Sequence, residues 1–258
     1  MKHICVLPNR DKDPDLSCTR HVEAALAAYG AEIQHDIMPD TDFIVVVGGD
    51  GSILRAAKQA AQYEIPLLGV NLGRVGYMAE LESNELHLLE RLFDESYQVE
   101  ERMMLSLKRE DGSVVTALND FVVSNQSTHL SEIALRCNGN IVGCYRADGL
   151  ICATPTGSTA YSLSAGGPVV DPLMNCFCLT PICPHSLRAR PMLFSEESVL
   201  EISCDRPGSL LYCTADGEDS FALPAAKTVQ ITKADKVTRL VRLKKDGFFE
   251  TLRNKLFD

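Results

Sequence analysis

The chain has 258 residues, 45% of them apolar, enough to bury a core in one large domain or two modest ones and too many for a disordered chain. A formal net charge of −10 disfavours a nucleic-acid backbone or an anionic membrane as partner. No apolar run approaches the roughly 20 residues that cross a bilayer, and no signal-peptide core follows Met1-Lys2-His3-Ile4-Cys5-Val6-Leu7-Pro8, so a cytoplasmic protein is expected.

The predicted elements begin with a short strand over 4–7. A helical pattern over 14–29 carries Leu16, Val22, Ala25 and Leu26 and closes at Gly30, and a second strand follows over 32–37. The run Phe43-Ile44-Val45-Val46-Val47 is apolar on both faces and mostly β-branched, which predicts a central parallel strand covered on both sides. Gly48 and Gly49 end it, and 53–63 reads as the next helix. A buried run over 66–70 and a helix over 85–93, capped by Ser83 or Asn84, complete an open α/β sheet.

Near residue 98 the pattern changes to short alternating runs, over 114–118, 121–124, 133–136 and 141–145. Asn138-Gly139-Asn140 is a hairpin signal between the last two. A short helix is predicted near 159–164. The tail 247–258 is amphipathic, with Phe248, Phe249, Leu252 and Leu256 apolar, and is expected to pack back on the first domain. The boundaries predicted are 1–98 with 242–258 returning to it, and 99–241 for the β-rich part.

Ten cysteines are scattered at core-like positions and read as small buried hydrophobes of a reducing compartment. The tightest group, Cys176, Cys178 and Cys183 near His185, lacks the paired C-x₂-C arms of a zinc site and reads as buried strand thiols.

Two loops carry chemistry. Gly48-Gly49-Asp50-Gly51-Ser52 stands at the carboxyl end of a buried strand and the start of a helix, where open α/β sheets bind ligands. Its glycines allow close approach of a phosphate and permit positive φ, and the helix N-terminus offers amides to an anion. A carboxylate in an anion site has work to do: Asp50 can accept a proton or hold a cation against the phosphates. Merely capping Ile53 or Leu54 does not need three glycines. The second loop runs from Asp148 through Thr154, Thr156, Ser158, Thr159, Tyr161, Ser162 and Ser164 to Pro168. Hydroxyls at that density can hold ribose and phosphate groups, and Tyr161 offers a face for a base. Neither loop is a Walker A motif, since no Gly-Lys-Ser/Thr follows the glycines, and no G-x-G-x-x-G fingerprint is present. Metal and backbone, rather than a motif lysine, are therefore expected to neutralise phosphates.

The GGDG turn is shared by NAD kinases, diacylglycerol-type lipid kinases and phosphofructokinases. A lipid kinase needs an apolar acyl site, which the polar second loop does not suit, and a nucleotide sensor has no reason to keep Asp50. DGLICATPTGSTAYSLSAGGP closely resembles the NAD kinase signature. Asn71-Leu72-Gly73-Arg74-Val75-Gly76-Tyr77, Asn119-Asp120, and Pro181-Ile182-Cys183-Pro184-His185-Ser186-Leu187 with Arg190-Pro191 resemble that family in the same order. The resemblance spans the whole chain. It implies an open α/β, Rossmann-like domain followed by a mainly-β, sandwich-like one, in a homodimer or homotetramer. The implied reaction phosphorylates the adenosine 2′-hydroxyl of NAD, with a nucleoside triphosphate such as ATP, or polyphosphate, as donor and Mg²⁺ or Mn²⁺ as the accompanying divalent metal.

By the same resemblance Asp50 is the catalytic carboxylate, and Gly48, Gly49, Gly51 and Ser52 lie at the phosphates. Leu54 and Tyr77 line the site, Asn119 and Asp120 hold ribose or adenine, and Thr156, Thr159, Ala160, Tyr161 and Ser164 hold base and ribose. Arg146 belongs to the substrate site, and Asp148 faces the nicotinamide-side ribose or the donor. No protein ligand for the metal is implied. The chain departs from the family pattern at Asp120 (usually Glu), Ser52 (usually Thr) and Ala147 (commonly Gly). An aspartate is too weak a base to ionise a ribose hydroxyl outright, but phosphoryl transfer through a loose transition state needs little ionisation early. Asp50 can orient the hydroxyl in line and take its proton late.

Overall fold

The computed structural model describes residues 1–73, 76–109, 111–125, 131–204, 206, 209–244 and 247–256. The chain divides into two compact units, Met1–Glu101 with Val237–Asp258, and Arg102–Lys236. In order the elements are β1 (Lys2–Pro8), α1 (Ser17–Ala28), β2 (Ala31–Gln34), β3 (Phe43–Gly48), α2 (Asp50–Tyr63), β4 (Leu67–Asn71), β5 (Leu81–Glu82), a 3₁₀ helix (Leu86–Leu92) and β6 (Gln98–Lys108). Then come β7 (Val114–Ala117), β8 (Asp120–Ser124), β9 (Ser131–Cys137), β10 (Asn140–Ala147), β11 (Gly149–Ala153), a 3₁₀ turn (Thr156–Thr159), α3 (Tyr161–Ser164) and β12 (Cys176–Ile182). The rest are β13 (Met192–Ser195), β14 (Leu200–Ser203), β15 (Leu210–Ala215), β16 (Asp219–Pro224), β17 (Thr228–Arg242) and α4 (Gly247–Leu256).

In the first unit β3 is buried along its whole length, as a strand apolar on both faces must be. It lies between β1 and β4 in a parallel sheet, with β2 outside β1, and Leu240 of β17 opposite Leu67. Helix α2 buries Ile53, Ala56, Ala57, Ala60 and Ala61, the stripe expected of a helix lying on a sheet. The C-terminal segment belongs to this unit: Val241 and Leu243 join its core, and the Phe248 ring of α4 lies against that of Tyr77. Buried Glu80 pairs with Arg242 at 3.1 Å and accepts the amides of Leu243 and Lys244 at 2.7 Å each.

Three details of this unit differ from expectation. Helix α1 starts at Ser17, not 14, because Leu16 has φ 55° and Asp13 gathers the first amides from outside the helix. The stretch 86–92 is 3₁₀ rather than α, and neither Ser83 nor Asn84 caps it. Leu86, Leu89 and Leu92 recur every three residues, which a three-residue turn stacks on one side against the core. Phe249 and Leu256 of α4 are exposed, and α4 buries none of its residues fully.

The second unit is a β-sandwich. One sheet runs β13-β12-β11-β8-β15-β16, antiparallel throughout. The other contains β10-β9-β14-β17 and the β6-β7 pair. Phe121, Leu150, Phe177 and Leu211 of the first interleave with Leu105, Leu135, Ile202 and Ile231 of the second in one core. The β9–β10 loop is two residues, Asn138 (φ 52°) and Gly139 (φ 77°), with Cys137 already opposite Asn140. That is the primed turn whose twist matches a hairpin. Six of the ten free cysteines are buried, but Cys144 and Cys183 are exposed, so the thiol group at 176–183 is not wholly buried.

Candidate active site

Gly48 closes β3 and Asp50 opens α2. None of Gly48, Gly49 and Gly51 takes positive φ, contrary to expectation; their reason is space. A Cβ on Gly48 would stand 2.5 Å from Ser52 Oγ, and one on Gly49 2.7 Å from Lys12 Nζ. A Cβ on Gly51 would meet nothing within 4 Å, so the protein itself does not demand glycine there. The open space above an exposed backbone at a helix N-terminus is what a phosphate needs.

Asp50 does not cap its own helix. Its carboxylate accepts the amides of Tyr77 (2.8 Å) and Met78 (3.2 Å), which fixes it from the opposite side of the turn. Gly76 makes room for this, since a Cβ there would sit 1.9 Å from Asp50 Oδ1. Leu54 follows one helical turn after Asp50 and is half-buried. Burial, with the Asp50 charge second, pushes the Tyr77 phenol up, and the Tyr77 ring packs 6.2 Å from that of Phe248. Arg74 and Val75 of the Asn71–Tyr77 stretch lie outside the described residues.

In the second unit Asn119, Asp120, Val122, Ala160, Tyr161, Thr214, Asp216 and Gly217 line a cavity of about 400 Å³. Asp120 is only 4% exposed. Burial, and secondarily the Asp216 carboxylate, push its carboxyl up to about 7. The hydroxyl-rich loop is ordered and divides its side chains. Thr154 Oγ1 donates to Leu118 O (2.6 Å), Ser158 Oγ to Pro155 O (2.6 Å), and Ser162 pairs with Thr180 (2.8 Å); these hydroxyls build the loop. Thr156 is buried, 3.4 Å from Arg102. Thr159 and Ala160 are half-buried, while Tyr161 and Ser164 are exposed.

Arg146 stands apart from that cavity, on exposed β10. It lines another, of about 290 Å³, with Tyr145, Ser186, Arg188 and Arg190. Asp148 is exposed between β10 and β11. Ala147 is a buried strand residue opposite Ser131 without positive φ, so glycine is not needed there.

Residues 11–97 match the family model of the ATP-NAD kinase N-terminal domain and residues 118–243 that of the ATP-NAD kinase C-terminal domain. The chain is 37% identical to the NAD kinase of Thermoanaerobacter sp. (strain X514), over 99% of each chain. It is also 37% identical to that of Lachnoclostridium phytofermentans, over the full length of both. The chain belongs to the NAD kinase family. Among solved structures it is similar to an NAD kinase from Archaeoglobus fulgidus in complex with ATP, at 31% identity and TM-score 0.81 over 98% of each chain. The fold also matches a yeast NADH kinase complexed with NADH (TM-score 0.80, 23% identity, 99% of this chain and 87% of that one).

Several residues of this NAD kinase family member escape its motifs. Lys12 comes from the β1–α1 loop, and its ammonium lies across Gly49 and 3.4 Å from Leu72 O. A lysine thus reaches the glycine turn, although no motif spacing announces one. Asn9 donates to Ser52 Oγ at 2.7 Å and ties that loop to the turn. The only sequence signals were Asn9 before Asp13 after a strand, a common turn composition. Asp216-Gly217 reads as an ordinary hairpin tip, yet it borders the cavity at Asp120.

Proposed function

We propose that this member of the NAD kinase family phosphorylates the adenosine 2′-hydroxyl of NAD, giving NADP, with a nucleoside triphosphate as donor and Asp50 as the group that receives the acceptor proton. The observation that carries the reading is the Asp50 carboxylate, anchored by two backbone amides beside the open face of Gly51. Anchoring matters because a positioned group contributes only where its geometry is held before reaction. In a loose transition state charge spreads over the equatorial oxygens of the transferring group. The α2 N-terminus and the amides of Gly49 and Gly51 suit that charge, while the Ser52 amide closes the turn on Gly49 O at 2.8 Å; Gly48 leaves room for the Ser52 side chain, and Lys12 adds a cation at the same turn.

The acceptor reading assigns Asn119 and Asp120 to the adenosine ribose, Tyr161 to stacking on a base, and Thr156, Thr159, Ala160 and Ser164 to base and ribose contacts. Leu54 and Tyr77 shape the site near Asp50, while Arg146 and Asp148 serve the nicotinamide side. Among the described residues no group of three or more His, Cys, Asp and Glu side chains is gathered to hold a metal ion. A divalent cation, Mg²⁺ or Mn²⁺, is therefore assigned to the donor triphosphate, where it neutralises developing charge. Residence in the cytoplasm and a homo-oligomeric assembly belong to the same reading. The test is incubation with ATP, NAD and Mg²⁺, with NADP read through an NADP-specific dehydrogenase. Signal that needs all three additions supports the reading, and none under any donor contradicts it.

A further inference from the structure

Asp216 is a hairpin residue in the left-handed region (φ 50°), followed by Gly217 at φ 75°. Its carboxylate accepts three consecutive amides, from Leu118 (2.9 Å), Asn119 (2.8 Å) and Asp120 (3.2 Å), and its own amide donates to Asp120 O (3.0 Å). The same backbone is gripped from another side. Thr154 N donates to Asn119 O at 2.8 Å, and Thr154 Oγ1 to Leu118 O. A Cβ on Gly157 would stand 2.1 Å from Asn119 O. A hairpin tip needs no such acid for its own turn; this one spends its charge on the segment that leads into β8.

We propose that Asp216 is a positioning residue for the acceptor: it sets the backbone at 118–120, and its charge adds to burial in holding the proton on Asp120. The inference rests on the reading of Asp120 as the ribose contact. The titratable groups around Asp120 are Asp216 from the β15–β16 turn, Cys152 from β11, whose thiol burial pushes up, and Tyr161 at the cavity. No lysine, arginine or histidine lines the cavity among the described residues. With its carboxyl raised to about 7, Asp120 changes from neutral to ionised across neutral pH. The ionised form accepts a ribose hydroxyl in the stronger, charge-assisted bond. KM for NAD therefore falls as pH rises from about 6 to 8, with kcat free of that inflection.

The experiment is the pH profile of KM for NAD in the full chain and three variants, with thermal unfolding followed at each pH. Asp216→Asn is expected to move the inflection to lower pH by about one unit, as loss of a neighbouring like charge should. Asp216→Glu keeps the charge on a longer arm, and is expected to keep the inflection while raising KM at every pH. Asp120→Asn is expected to flatten the profile. An Asp216→Asn inflection superimposed on wild type overturns the proposal, as does an Asp216→Glu KM unchanged throughout if the Asn variant does not fold. A wild-type inflection persisting in Asp120→Asn overturns instead the ribose reading of Asp120, so the two failures are distinct.

Discussion

Tyr161 is 47% exposed and lines the same cavity as Asp120, an unusual place for an aromatic with no other task. Removing it should not unfold the loop, whose hydrogen bonds come from Thr154, Ser158 and Ser162. Tyr161→Ala is therefore expected to weaken NAD binding by about 5- to 150-fold, the range of lost base–aromatic stacking, with little change in Tm. Calorimetry that returns the wild-type Kd would make the ring structural. Asp120 makes a second prediction in the absence of ligand. Its folded value of about 7 lies above that of an unfolded aspartate, so the folded state binds the extra proton between about pH 4 and pH 7. Stability must then fall as pH rises through that window and level off above it. Asp120→Asn is expected to remove this slope, worth on the order of a few kcal/mol, in denaturant titrations at pH 5 and pH 8. Equal slopes in both proteins would show that Asp120 does not carry the proton.

Helix α1 shows what an element owes to a residue outside it. Its N-cap position, Leu16, has no capping side chain, and Asp13 accepts the amides of Cys18 (3.2 Å) and Thr19 (2.8 Å) and the Thr19 hydroxyl (2.6 Å). Burial works against the Asp13 charge, but those bonds overcome it and hold the carboxyl below its ordinary value. Asp13→Ala should cost about 1–2 kcal/mol, as loss of a capping side chain does, and the wild-type advantage should fade as pH falls below about 4. An unchanged midpoint in urea would contradict the capping role. Elements with one plain physical cause were legible in the sequence: β3 from an unbroken β-branched run, and the β9–β10 hairpin from Asn138-Gly139. The 3₁₀ helix was not, because a three-residue leucine repeat differs little from a helical one over seven residues. The start of α1 was hidden for a similar reason, since the cap lies three residues before the cap position.

Across the whole molecule, the candidate site was legible where one loop holds both backbone and side chain, as at Gly48–Ser52 and in the hydroxyl-rich loop. It was illegible where chain closure brings distant residues together. Gly76 admits the Asp50 carboxylate from 26 residues away in sequence. Lys12 reaches Gly49 from a loop without a motif, and Asp216 reaches Asn119 from 97 residues away. Spacing rules describe one element and its neighbour, whereas these contacts exist only once the two sheets have formed. In the proposed reaction the decisive group is the Asp50 carboxylate, held by the amides of Tyr77 and Met78. The most direct measurement is single-turnover and steady-state kinetics of Asp50→Asn beside wild type, with NAD binding followed by calorimetry. A carboxamide cannot take the proton, so kcat is expected to fall at least 10²-fold while Kd for NAD changes little. A variant that keeps more than about a tenth of wild-type kcat would contradict the account.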